Sequence, residues 1–172
     1  MARWAYIIAA FGALAAWAGA QGPPPAPALT AADQLRLLKA NSTLIDNLVD
    51  HGVALSRADK VEERAERCRQ AAQVLATAIQ DAATKQEPER VVELTELFRE
   101  IVRDALLPTI EDGKRLLTPG SPGAAQLRKT RDDSARDIRK LKAAIPATGK
   151  VGESARVKEA LKQLDGLSEE LK

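Results

Sequence analysis

Between residues 61 and 82, seven small or aliphatic side chains recur at steps of 4, 3, 4, 3, 4 and 3: Val61, Ala65, Cys68, Ala72, Leu75, Ile79 and Ala82. At 3.6 residues per turn this spacing lays all seven on one stripe of a helix, whereas a strand would scatter them over both faces. A stripe of that width is the seam of a helical bundle. Glu62, Glu63, Arg64, Arg67 and Arg69 stand around it, and Glu63 and Arg67 are placed for an i,i+4 pair.

The rest of the chain repeats the helical theme. No segment alternates apolar and polar residues with β-branched enrichment, and no Asn-Gly or Asp-Gly hairpin turn occurs. A first helix is expected from Thr30, whose hydroxyl can cap it with Asp33 in the first turn, to about Arg57. Its apolar positions are Leu35, Leu38, Ile45, Leu48, Val49 and Leu55. A second runs from about Asp59 to Lys85, and Pro88 opens a third on which Val91, Leu94, Phe98, Ile101 and Ala105 form the stripe and Val92, Val102 and Leu106 widen it. Pro108 either kinks this helix or divides it in two. Thr118-Pro119-Gly120-Ser121-Pro122-Gly123 is the strongest break. A fourth helix from about Pro122 to Ala144 has a thin stripe (Leu127, Ala135, Ile138, Leu141, Ile145) with Arg131 where a core residue is expected. A fifth from about Ser154 carries Val157, Leu161, Leu164, Leu167 and Leu171. Short connections make neighbours antiparallel, so the expected fold is all-α: an up-down antiparallel helical bundle of three long helices plus a C-terminal helical hairpin.

The N-terminus reads as an export signal. Arg3 precedes an uncharged apolar run from Trp4 to Ala18, and Ala18-Gly19-Ala20 places small residues where a signal peptidase needs them. The run is shorter than the roughly 20 residues of a spanning helix, so a cleaved signal is favoured over an anchor and no transmembrane span remains after cleavage. The expected organisation is a signal peptide at 1–20, a Pro-rich linker at 21–29, a bundle core at 30–117, a Pro/Gly linker at 118–123 and a basic helical hairpin at 124–172. Cleavage removes both tryptophans and the only tyrosine and methionine, leaving Phe98 as the sole aromatic and a core of Leu, Ile, Val and Ala. With a single cysteine, the exported chain has no internal disulfide. Export and an Ala-, Arg- and Leu-rich composition point to a bacterial periplasmic or extracellular location.

Residues for catalysis are sparse. His51 is the only histidine, which excludes paired-histidine haem ligation and the twin Glu-x-x-His of a di-iron bundle. Asp50 adjoins it, but no Gly-x-Ser-x-Gly elbow accompanies them. Cys68, on the seam, reads as a buried apolar thiol. Asn41-Ser42-Thr43 matches a glycosylation triplet inside a predicted helix. Glu89, Glu93, Glu96, Glu100 and Asp104 form an acidic row with Arg90, Arg99 and Arg103 beside it, a solvated face that a straight helix cannot wrap around a cation. No catalytic, cofactor or metal residue is assigned.

Charge is distributed unevenly. Residues 30–117 hold 13 basic and 16 acidic groups, and residues 118–149 hold 7 and 3. The seven cations, Arg128, Lys129, Arg131, Arg136, Arg139, Lys140 and Lys142, form a candidate surface for anionic partners. Export favours an envelope surface or a protein over nucleic acid. Leu29-Thr30-Ala31-Ala32-Asp33-Gln34 resembles the Leu-Thr-x-x-Gln signature of the CpxP/Spy-type periplasmic chaperones, with the glutamine one residue later and in a single copy. The resemblance covers six residues and implies a small exported helical chaperone or stress sensor. The sequence alone thus leads to an exported, non-enzymatic helical-bundle protein that binds a protein or acts as an envelope-associated scaffold. The chaperone stands as the alternative, and an enzyme or metal-binding bundle ranks third.

Overall fold

A computed structural model describes residues 31–171, with side chains at Lys39 and from Asn41 onward. The expected signal peptide, the Pro-rich linker, the Thr30 cap and the side chains of the Leu29–Gln34 motif lie outside the described residues. So do the side chains of Leu35 and Leu38. The chain divides into two units at Arg36: of the first, only residues 31–36 are described, as helix, and the second runs from Leu37 onward.

The fold is all-α, with no strand among the described residues. Helix α1 spans Ala31–Ser56 and α2 spans Val61–Thr84. Helix α3 (Pro88–Glu100) passes through a π-helical segment (Ile101–Leu106) into α4 (Leu107–Leu116). Helices α5 (Pro122–Ala144), α6 (Gly149–Glu153) and α7 (Ala155–Glu170) complete the chain. Backbone dihedrals stay right-handed helical through both junctions of the π segment, so residues 88–116 form one rod. Pro108 therefore neither ends the helix nor divides it. A proline inside an α-ladder has no N–H to give and drives its ring against the carbonyl four residues back. Here the turn just before it is widened, and the Leu107 N–H reaches Val102 O, five residues back. Thr109 Oγ1 adds a bond to Ala105 O at 2.7 Å.

Helix α2 packs against the 88–116 rod on one side and α5 on the other, and α7 closes the ring by packing on α3 and α5. The seam predicted for α2 is buried from Ala65 through Ala82, with Val61 half-buried at its end. Val91, Val92, Leu94, Phe98, Val102 and Leu106 of the rod are buried in the same core cluster. Leu127, Ala135, Ile138, Leu141 and Ile145 of α5 and Val157, Leu164, Leu167 and Leu171 of α7 belong to the same core cluster. Residues on both sides of the 118–123 break thus fill a single core.

Local chemistry sets the breaks. Helix α2 ends where Gln86 turns left-handed (φ 56°), its N–H bonding Ala83 O while the Glu87 N–H reaches Ala82 O. This is a Schellman closure with glutamine in the position glycine usually takes. The Gln86 side chain justifies the substitution, because its Oε1 accepts from the Val151 N–H at 3.3 Å and so holds α6. Sequence reasoning did not foresee α6, a five-residue turn that buries Val151. Ser121 Oγ caps α5 by accepting from the Ala124 N–H, and Ser154 Oγ caps α7 by accepting from Val157.

The arrangement departs from expectation at α1. Three long helices were expected to form the core, yet the ring is built by α2, the rod, α5 and α7, with residues 37–56 of α1 outside it. Among the described side chains of α1, Leu44, Leu48 and Leu55 lean on the core, each half-buried, while Ile45, Val49 and Val53 are exposed. The Glu63 and Arg67 pair is also absent: Glu63 pairs with Lys60 at 3.8 Å, and Arg67 donates to Gln70 at 2.9 Å.

Cys68 is buried against the rod, and burial pushes its thiol above the ordinary range. The thiolate is the reactive form. Labelling by a thiol reagent at pH 8 is therefore expected to run at least ~100-fold slower in the native protein than in denaturant, because the seam must open first. Rapid native labelling would show that this seam is accessible.

Candidate anionic-surface interface

Helix α5 buries one face and presents the other to water. With successive residues rotated by about 100°, Arg128, Lys129, Arg136, Arg139 and Lys140 fall within an arc of about 120° opposite Leu127, Ile138 and Leu141. All five are exposed. Arg136 pairs with Asp133 at 2.9 Å. Arg128, Lys129, Arg139 and Lys140 make no ion pair among the described residues.

The other two candidates are engaged elsewhere. By the same rotation Arg131 and Lys142 fall on the buried side of the helix, between Ile138 and Ala135, and are partly covered. Arg131 pairs with Asp132 at 2.9 Å, and Lys142 bonds Asp165 of α7. The seven-cation cluster read from sequence resolves into five on one outward arc and two on the buried side. Where a core residue was expected at Arg131, the helix buries Thr130 and Ser134 instead. The Ser134 hydroxyl bonds Thr130 O at 2.7 Å, which satisfies it inside the packing.

A polar clasp fixes α5 in place. Arg69 of α2 grips Glu66 with two bonds, Nε to Oε2 at 3.0 Å and Nη2 to Oε1 at 2.7 Å. Its Nη1 crosses to Asp137 of α5 at 2.9 Å. Thr130 donates to Glu66 at 3.2 Å and Gln73 donates to Asp137 at 2.9 Å. The guanidinium bonded to Glu66 holds that carboxyl below the usual range, against the opposing effect of burial, and Arg69 is held firmly protonated. The clasp floors an open cleft of about 470 Å³ with Lys129 and Asp133 at its side. Its carboxylates are already occupied by donors, so the clasp locks two helices together. Sequence reasoning missed it, since nothing in a chain marks residue 69 as the partner of residue 137.

The remaining candidates are dispersed. His51 is partly exposed on α1, and Asp50 beside it is exposed. Asn41 Oδ1 accepts from Arg90, which links α1 to α3. In the acidic row Glu89 bonds Arg156 of α7, Glu93 pairs with Arg90 at 3.3 Å, and Asp104 pairs with Arg103 at 2.9 Å. Among the described residues no group of three or more metal-ligating side chains converges, and no helix is long and apolar enough to cross a membrane. No protein-family model, no curated protein and no solved structure matches this chain.

Proposed function

We propose that this protein is an exported, non-enzymatic helical bundle that binds an anionic envelope surface through the outer face of α5. One observation carries the reading: Arg128, Lys129, Arg139 and Lys140 stand exposed on the arc opposite the core, without an ion pair among the described residues, with Arg136 among them. The clasp and the buried face hold the backbone rigid, so the cations approach a surface already arrayed. Each cation near an anionic bilayer contributes about 1 kcal/mol, falling off within a screening length of about 10 Å at 0.1 M salt. The signal-like N-terminus, with Ala18-Gly19-Ala20 before a proline-rich stretch, supports export and a mature chain beginning at Gln21.

Vesicle binding tests this. The mature chain is expected to bind phosphatidylglycerol-containing vesicles at low salt and to release them at 0.5 M salt. Arg128→Glu, Arg139→Glu and Lys140→Glu together should weaken binding more than tenfold. Lys158→Glu with Lys162→Glu, reversing exposed charges on α7, should change it little. Equal binding by both variants would remove α5 from the interface.

A chaperone or stress-sensor role is the second reading. It draws on the apolar residues that α1 leaves exposed, because client capture needs uncovered hydrophobic area.

A further inference from the structure

Helix α1 carries an apolar face of which one edge leans on the core and the adjoining edge is exposed. Leu44, Leu48 and Leu55 turn toward the core, and on the adjoining edge Ile45, Val49 and Val53 are 57%, 56% and 43% exposed. Spaced by four residues, these three form a straight ridge of the kind that interdigitates with a second helix. Gly52, one turn from both Leu48 and Val49, has nothing within 4 Å of where a Cβ would stand. Inside a helix a glycine costs stability, and here no close neighbour in the fold requires it. The gap leaves room for another backbone to come near.

The charge beside the ridge selects the occupant. On its outer side, between Lys39 and Arg57, the only charged residues are Asp46 and Asp50. Both are exposed and without an ion pair among the described residues. An anionic bilayer would be repelled there. A second copy fits poorly, because an antiparallel pair centred on Val49 would set Asp46 and Asp50 of one chain against the same residues of the other. The chain's own segment from Gln21 to Thr30 contains no basic residue. We infer that the outer edge of α1 receives an amphipathic helix of a partner protein, whose apolar stripe packs on Ile45, Val49 and Val53 and whose flanking Lys or Arg side chains face Asp46 and Asp50. This is recognition of a helix along an apolar ridge, with charge setting orientation and specificity.

The test uses mature protein purified from the envelope and two labelled 18-residue peptides. Both have leucines at i, i+4, i+7 and i+11; one is flanked by lysines and the other by glutamates. The lysine-flanked peptide is expected to bind, and Ile45→Ser with Val49→Ser, exposed positions whose change leaves the core intact, should weaken it at least tenfold. Asp46→Lys with Asp50→Lys should abolish its advantage at this site and raise the affinity of the glutamate-flanked peptide. Unchanged affinity after the aspartate reversal would overturn the inference in favour of non-selective apolar capture. A dimer in sedimentation that Val49→Ser dissolves would overturn it in favour of a second copy, and vesicle binding weakened by Ile45→Ser with Val49→Ser in favour of a membrane. Because the α5 charge reversals are measured separately on vesicles, failure at α1 and failure of the α5 interface give different results.

Discussion

Leu164→Ala is expected to lower the free energy of unfolding by about 2–5 kcal/mol, the range for removing a leucine from a close-packed core. Leu164 is fully buried in α7, within the core cluster shared with α2, the rod and α5. Helix α7 packs on α3 and on α5, so the space left by three lost carbons opens beneath both and neither can collapse without moving the other. Urea unfolding followed by circular dichroism should give one transition, shifted to lower urea with its slope unchanged. Hydrogen exchange in α2 should accelerate by the same free energy as in α7, because both open with the common core. Two transitions, with α2 and the rod unaffected, would instead show residues 124–171 to be a separable hairpin.

That outcome bears on what the sequence made legible. The seam of α2 and the stripe of the rod were readable because each is periodic within one helix, and local periodicity survives in a chain viewed one residue at a time. The bounds of α5 were readable from Pro122 and Ile145-Pro146, since proline acts on its own neighbours. The π segment was only half legible. Pro108 announced a disturbance, but whether a helix breaks or widens depends on packing against α2, which no local signal records. The position of α1 was illegible for a related reason. Leu44, Leu48 and Leu55 share a face with Ile45, Val49 and Val53, and which part is covered depends on distant residues such as Arg90, which bonds Asn41 from 49 positions away. In α5 the basic composition was plain from sequence. That Arg131 and Lys142 sit on the buried side, while Arg128, Lys129, Arg139 and Lys140 stand clear, follows from rotation about an axis whose inner side had to be known first.

The clasp between α2 and α5 supplies the second large effect, and it reverses a pH dependence. Glu66 has its carboxyl held below the ordinary value of 4.5, chiefly by the bond from Arg69, so its stabilising contribution is fully present above that value. The contribution is lost as pH falls through the lower, folded value. Arg69→Met removes the cation and leaves Glu66 and Asp137, both bonded to the same guanidinium, as two carboxylates on facing helices. Removing one partner of a fully buried pair costs 3–5 kcal/mol. Here Arg69, Glu66 and Asp137 keep 18%, 27% and 24% of their side-chain surface in water, so a loss of about 2 kcal/mol at pH 7 is expected. In the variant the bonds from Thr130 and Gln70 to Glu66 remain, and burial together with the second carboxylate is expected to outweigh them and raise the folded value above that of the unfolded chain. Stability should then increase as pH drops from 7 toward 4.5, whereas the parent protein holds steady over that range and weakens below it. Glu66→Gln combined with Arg69→Met should recover part of the loss and flatten the slope, because one of the two opposed charges is gone. Urea midpoints at pH 7, 5.5 and 4.5 for the three proteins measure both effects. A variant within 0.5 kcal/mol of the parent, with the same pH profile, would mean that α5 is held by its apolar face alone.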